Sequence, residues 1–328
     1  MLPPPLLSHE FAPPVGQPLA PLAVLVAGHL RSAGGGAATA LRRALAAGGP
    51  ADLLVVTHAA LSADKADARG RVGAAGGAFY PEGADLTGGT AEEAREAAAL
   101  AAEFYGVTPS EAAGGPRLAA VAVVNSSALL AAARDVTPQA PASGTRWRYG
   151  AKAAMRVAEV ATMARAAFER LELYEATFRP ASPYRWVLKA RPDFLLLRTP
   201  PAWPDMLARG LPFDGASRPL GALAIAGPRV SAMSAYQRRL GFNFSDHLAF
   251  GSRAAVERYS RLAGALGTLN ARGMDVSCVE EVWPAHLAAE GVAFEPSLDC
   301  RYKIDRATPK GGIRGAREAW LRQRAQSS

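Results

Sequence analysis

LAVLVAG, residues 22–28, is a continuous apolar run that ends at a glycine, the pattern of a strand inside a parallel sheet. The next stretch, AATALRRALAAGG at residues 37–49, predicts a helix that glycines end. A second apolar run, ADLLVVTH at residues 51–58, predicts another strand. A strand, a helix and a strand with short links form a βαβ unit with parallel strands. The sequence therefore predicts an α/β fold with a mostly parallel central sheet flanked by helices.

The same alternation continues along the chain. Ser252 is expected to cap a helix that runs to Ala263 and stops at Gly264. Thr90 and Glu93 are expected to form a capping box for the helix that ends at Tyr105. Residues 126–147 have mixed character, and residues 199–228 are rich in proline and glycine and predict a loop or insertion. The other predicted elements are helices from about Tyr149 to Tyr174 and over residues 275–291, and strands at residues 117–124, 246–252 and 292–296.

Composition divides the chain into three parts. Residues 1–20 contain six prolines and predict an extended, disordered leader outside the fold. Residues 21–300 predict one α/β domain, for which a chain of 328 residues with 49% hydrophobic content is large enough. Residues 301–328 predict a basic tail.

The net charge of +8 is concentrated in that tail. Residues 301–328 contain eight Lys or Arg and two Asp or Glu, a balance of +6, which leaves +2 for the first 300 residues. Such a tail can contact an anionic surface or simply keep the C-terminus soluble. Aromatic residues do not interleave with the basic ones, so nucleic acid is not expected as a partner. No apolar run approaches the roughly 18 residues that a membrane-spanning helix needs.

The stretch YRWVLKARPDFLLLR, residues 184–198, predicts a buried strand that nevertheless has three charged residues in its interior, Lys189, Arg191 and Asp193. Pro192 has no N–H for a ladder, so the strand is expected to end near Arg191 and to leave Asp193 at its carboxyl edge. A carboxylate there can bind a divalent cation, and Arg191 can pair with Asp193 or contact an anionic ligand. The alternative is an internal ion pair at a strand end.

Three further places carry candidate site residues. Gly28 and Arg31 follow the first strand, where a glycine permits close approach and Arg31 either meets a phosphate or is an ordinary helix-entry residue. Neither G-x-G-x-x-G nor a P-loop motif is present, which disfavours both kinds of nucleotide site. Asp246 and His247 are expected in the same crevice as Asp193, where they orient an acceptor or hold a metal; otherwise Asp246 caps a turn and His247 is structural.

Two adjacent glutamates, Glu280 and Glu281, precede VWPAHL in the predicted helix at residues 275–291. Either can act as a general base when a cleft raises its pKa towards the working range. Ser277 and Glu280 have the spacing of a capping box, which leaves Glu281 as the better candidate.

These pieces, taken in order, resemble the GT-A-type glycosyltransferases of algae and of bacterial polysaccharide-synthesis loci. The resemblance covers about residues 22–300 and is carried by short motifs: VLVAGHLRS, LYE in the long helix, YRWVLKARPD, SDHLAFGSRAAVERY and CVEEVWPAHLAAEGV. It implies a GT-A-like, Rossmann-like domain that moves a sugar from a nucleotide-sugar donor to a hydroxyl of a glycan, lipid or protein. An alternative is a non-catalytic domain of the same fold that binds a nucleotide or a glycan.

The resemblance also implies roles for individual residues. Gly28 and Arg31 would lie near the nucleotide, Asp193 at the metal or diphosphate, Asp246 at the acceptor and Glu281 in the role of base. Such enzymes often hold Mn²⁺ or Mg²⁺ with a D-x-D motif. This chain has Arg191-Pro192-Asp193 instead, so it has one carboxylate where two are customary. Arg191 is therefore expected to neutralise part of the diphosphate charge that a cation would otherwise neutralise.

Overall fold

The computed structural model describes residues 7–13, 19–28, 37–46, 49–58, 91–105, 116–192, 194–198, 222–226, 246, 248–298 and 301–304. The strands in these ranges are β1 Leu7–Glu10, β2 Leu22–Ala27, β3 Ala51–His58, β4 Pro116–Val124, β5 Trp186–Ala190, β6 Phe194–Arg198, β7 Ala222–Ala226, β8 Leu248–Ser252, β9 Ala293–Leu298 and β10 Arg301–Ile304. The helices are α1 Ala37–Ala46, α2 Ala91–Tyr105, α3 Ser126–Val136, α4 Gly150–Phe178, α5 Arg253–Ser260, α6 Leu262–Ala271 and α7 Val279–Ala289.

Eight of the described strands form one mixed sheet in the order β1-β4-β3-β2-β5-β8-β7-β9. The block β4-β3-β2-β5 is parallel, as the βαβ pattern predicts. Strand β8 runs antiparallel to β5 and β7, and β1 runs antiparallel to β4. The predicted α/β class is confirmed, but the sheet as a whole is mixed because β1 and β8 reverse its direction.

Helices cover both faces of this sheet. In β2, Leu25 packs into one core with Phe168 of α4, whereas Val24 packs into a second core with Phe104 of α2. Successive side chains of a strand point to opposite faces, so an apolar residue at every position requires a cover on both sides. This double cover is what the continuous apolar run at residues 22–27 predicts.

The charged strand divides at Pro192. β5 ends at Ala190, as predicted from the missing N–H of the proline, and the chain then enters a different sheet. There β6 pairs antiparallel with β10, with Phe194 opposite Ile304. The stretch 184–198 is therefore two strands in two sheets, and β10 shows that the predicted basic tail begins with a paired strand.

Several other expectations need correction. The leader is not wholly outside the fold, because β1 pairs with β4 and places Leu7 opposite Val123. Residues 126–136 form a helix, α3, that begins where the Asn125 side chain accepts a hydrogen bond from the Ala128 amide. The region predicted as a loop at residues 199–228 contains strand β7. β7 pairs with β8 and β9, which are distant in sequence, so the local sequence pattern does not predict this strand.

The helix after β8 starts as predicted but ends differently. Ser252 Oγ accepts a hydrogen bond from the Ala255 amide at 3.2 Å, which confirms the cap. The helix then breaks at Arg261, and α6 continues through Gly264, which lies within a helix rather than at its end. Thr90 of the predicted capping box lies outside the described residues. None of the described helices is both long and apolar enough to cross a membrane.

Candidate functional site

The sheet order contains a switch point between β2 and β5. From β2 the chain builds outward through β3 and β4 on one side, and it returns through α4 to β5 on the other. In open α/β sheets ligands bind in the crevice beyond the carboxyl ends of the strands at such a point. The residues that follow β2 and β5 are therefore the first candidates for a site.

Gly28 and Pro192 lie against each other at this point. Gly28 has φ +137°, and its amide donates to the Val56 carbonyl at 3.0 Å. A Cβ on residue 28 would lie 3.1 Å from Pro192 Cδ, closer than a side chain readily tolerates. Glycine is therefore required both by the backbone conformation and by the neighbouring strand end. It allows the ends of β2 and β5 to lie close together; the approach of a ligand at Gly28 stays a prediction.

Lys189 and Arg191 of the charged stretch both contact Asp246. Because Ala190 pairs with Leu248, the residue two positions before β8 falls beside the end of β5. The buried Lys189 ammonium donates to the main-chain carbonyl of Asp246. Arg191 Nη1 lies 3.6 Å from Asp246 Oδ2. A charge buried in a strand needs such partners to offset its lost hydration, so Asp246 explains why the strand tolerates them.

Tyr259 of α5 completes this group, which we name the edge cluster: Lys189, Arg191, Asp246 and Tyr259. Lys189 Nζ lies 5.9 Å from the centroid of the tyrosine ring, within the range of a cation–π contact. Burial raises the pKa of the Tyr259 hydroxyl well above its usual value; the Asp246 charge raises it further and Arg191 opposes the rise. Sequence reasoning missed Tyr259, because a tyrosine on a helix gives no local sign that it is buried beside charges.

Glu281 lies at the start of α7, where its carboxylate pairs with Arg148 at 3.0 Å. α7 leads into β9, which runs parallel to β7 and hence in the direction of β5, so the start of α7 points towards the carboxyl edge of the sheet. The described partner of the Glu281 carboxylate is nevertheless Arg148, and not a member of the edge cluster.

The predicted capping box is not formed. The residue before α7 is Cys278 rather than Ser277, and Ser277 Oγ instead donates to Asp275 Oδ1 at 2.5 Å. Glu280 accepts from Cys278 Sγ at 3.3 Å, and burial, with the help of that carboxylate, raises the pKa of the thiol to about 12. The buried Asp275 organises this turn and draws Ser277 away from a capping role.

The structure thus brings together three of the predicted site residues: Gly28, Arg191 and Asp246. Arg31, Asp193 and His247 lie outside the described residues, so their roles remain predictions. Within the described ranges, no group of three or more His, Cys, Asp or Glu side chains is placed to hold a metal ion. The carboxylate that the edge cluster does provide, Asp246, is paired with an arginine.

A second buried polar cluster lies at the opposite edge of the sheet. Asp52 near the start of β3 contacts Arg117 at 2.6 Å and Arg179 at 3.5 Å, and it accepts from the Tyr184 hydroxyl at 2.5 Å. This edge holds the amino ends of the parallel strands, where α/β sheets do not bind ligands. These residues join α4, β3, β4 and the entry to β5, so we assign them a structural role.

Comparison with known proteins assigns neither a family nor a function to this chain. No protein-family model, no curated protein and no solved structure matches this chain.

Proposed function

We propose that this protein is a glycosyltransferase with a GT-A-like domain, in which an acceptor hydroxyl attacks the anomeric carbon of a nucleotide sugar. The observation that carries the proposal is the position of the edge cluster. Two cations, Lys189 and Arg191, lie at the carboxyl end of β5, beside the switch point where α/β sheets bind ligands. The sequence resemblance to GT-A-type transferases points to the same strand.

The chemistry of sugar transfer suits such a group. As the bond to the sugar breaks, negative charge develops on the departing nucleoside diphosphate, and fixed positive charge nearby lowers the energy of that state. Arg191 is partly exposed, and a guanidinium can bind two phosphate oxygens at once. Gly28 supports this role indirectly, because its contact with Pro192 lets the ends of β2 and β5 lie side by side next to the proposed donor site.

We further propose that Asp193 holds a Mn²⁺ or Mg²⁺ ion, which would neutralise part of the diphosphate charge. Arg31 is the second proposed contact to the nucleotide. Both follow from the sequence and from their places directly after β2 and β5 in the chain.

On the acceptor side we propose Asp246 and Glu281, with Glu281 as the base. Each of these carboxylates is paired with an arginine, at 3.6 and 3.0 Å respectively. A carboxylate bound to an arginine must leave that partner before it can accept a proton from an acceptor hydroxyl. This observation favours the second candidate function, a domain that binds a nucleotide or a glycan without turnover, and the two functions differ in whether the donor is consumed.

A thermal-shift panel of nucleotide sugars, each with Mn²⁺, Mg²⁺ or EDTA, tests donor binding and metal dependence together. We expect at least one donor to raise the Tm of the wild type and to do so much less for Arg191→Gln. Arg185→Gln is the matched control, since Arg185 is an exposed residue at the other end of the same strand. If no common nucleotide sugar stabilises the wild type, or both variants behave alike, the proposal is wrong.

A further inference from the structure

The hydroxyl of Tyr259 is buried and, among the residues the structure describes, has no hydrogen-bond partner. A buried hydroxyl without a partner destabilises a protein, because it has lost its bonds to water and gained none in return. A phenylalanine would fill the same space without this penalty. The presence of the hydroxyl therefore needs an explanation outside the packing of α5.

The ring is held firmly in place. It stacks on Trp283 of α7 with centroids 5.1 Å apart, and Trp283 Nε1 donates to the Tyr259 main-chain carbonyl at 3.2 Å. A side chain fixed from two sides cannot turn its hydroxyl towards solvent. The Tyr259 hydroxyl therefore points in one fixed direction, and such preorganisation favours ligand binding.

Tyr259 lies within the electrostatic influence of the charged groups of the edge cluster. Asp246 and Arg191 are the charges that act on it, and Lys189 Nζ lies 5.9 Å from the ring centroid. The described members of the cluster are two cations, one carboxylate and one hydroxyl that is protonated at neutral pH and can donate. Tyr259, Lys189 and Arg191 are all hydrogen-bond donors, and donors of this kind suit an anionic oxygen.

We propose that Tyr259 is a ligand-binding residue of the edge cluster, whose hydroxyl donates a hydrogen bond to a phosphate-type oxygen held beside Arg191. The assignment of that oxygen to the diphosphate of a nucleotide rests on the proposed function. The binding of an oxyanion does not rest on it, because the buried hydroxyl without a partner and the two cations of the edge cluster support it independently.

Two tyrosine variants separate a ligand role from a structural one. Tyr259→Phe removes a hydroxyl without a partner, and Tyr184→Phe removes one that Asp52 accepts at 2.5 Å at the opposite edge of the sheet. We expect Tyr259→Phe to keep the Tm of the free protein at or above that of the wild type and to raise the Kd of the ligand about tenfold. Tyr184→Phe should lower the Tm and leave the Kd unchanged.

The probes are inorganic pyrophosphate and a set of nucleoside diphosphates, measured by calorimetry with the full chain. Weaker binding of either probe to Tyr259→Phe supports the inference. If pyrophosphate alone binds, and binds more weakly to the variant, the inference holds while the nucleotide part of the proposed function fails. If nucleoside diphosphates bind equally well to both proteins, the inference is wrong and the proposed function stands.

Two further outcomes would overturn the inference. A wild type that binds none of these anions contradicts both the inference and the proposed function. A free Tyr259→Phe protein that is clearly less stable than the wild type shows that the hydroxyl is already satisfied without a ligand.

Discussion

Pro192 at the end of β5 occupies the space that a side chain on Gly28 at the end of β2 would need. The distance from Pro192 Cδ to the position of a Cβ on residue 28 is 3.1 Å, and the backbone of Gly28 has φ +137°. The proline that ends one strand and the glycine that ends its neighbour therefore fit together. This contact shapes the crevice in which we place the ligand.

Gly28→Ala is expected to lower the free energy of unfolding by about 2–3 kcal/mol, through the unfavourable backbone conformation and the contact with Pro192. Gly49→Ala is the control for backbone strain alone, because Gly49 has φ +94° and no atom within 4 Å of the added Cβ. Denaturant unfolding measures both. Equal losses in the two variants would show that Pro192 does not constrain residue 28.

The cluster around Asp52 predicts a large loss of stability. Asp52→Asn removes the charge that faces the buried Arg179 and the partly exposed Arg117, and leaves Arg179 without its carboxylate. Breaking a buried pair on one side typically costs about 3–5 kcal/mol. The control is Glu169→Gln in the partly exposed pair with Arg165, which we expect to change stability by less than about 0.5 kcal/mol. Similar urea midpoints for the two variants would refute the structural role.

His286 predicts a loss of stability in mild acid. Burial lowers its pKa below the usual 6.5, although its hydrogen bond to the Arg258 carbonyl at 2.8 Å opposes the change. The unfolded state therefore takes up the proton first, so this contribution is present above about pH 6.5 and is lost as the pH falls through the lower folded pKa.

Unfolding curves measured between pH 8 and pH 5 should show this fall, and His286→Gln, which cannot titrate, should flatten it. His9→Gln is the control, because it removes a histidine that is exposed rather than buried. A wild-type slope that persists in His286→Gln would assign the effect to other groups.

Much of the fold is predictable from the sequence because its signals are local. The apolar run at residues 22–28 indicates a strand covered on both faces, and Pro192 marks where β5 ends, since a residue without an N–H interrupts a ladder wherever it lies. Strands β1 and β7 are missed because their stability comes from partners distant in sequence. The leader is rich in proline, yet Leu7–Glu10 pairs with β4.

The site was predictable only in part, for the same reason. Gly28, Arg191 and Asp246 were identified as polar or glycine positions that follow or precede apolar runs. Their mutual arrangement depends on the antiparallel register of β5 and β8, which no local pattern encodes. Tyr259 and the Asp52 cluster depend on burial and on contacts between separate elements, so the sequence gives no sign of either.

The proposed cation at Asp193 predicts a dependence on divalent metal. Donor-induced thermal stabilisation should fall when EDTA is added to the wild type and return with excess Mn²⁺ or Mg²⁺. Asp193→Asn should show little difference between the two conditions, since the amide is a weaker ligand for a hard cation than the carboxylate. If EDTA has no effect on the wild type, then Arg191 and Lys189 serve the diphosphate without a metal at Asp193.

The most direct test of the central claim is the rate at which the protein consumes a nucleotide sugar identified by the thermal-shift panel. We expect turnover by the wild type and by Arg185→Gln, and a loss of about 10²-fold or more in kcat for Arg191→Gln and Asp193→Asn, each with an unchanged circular dichroism spectrum. Turnover that both site variants retain, or a wild type that binds the donor and never consumes it, would contradict a catalytic site at the carboxyl end of β5.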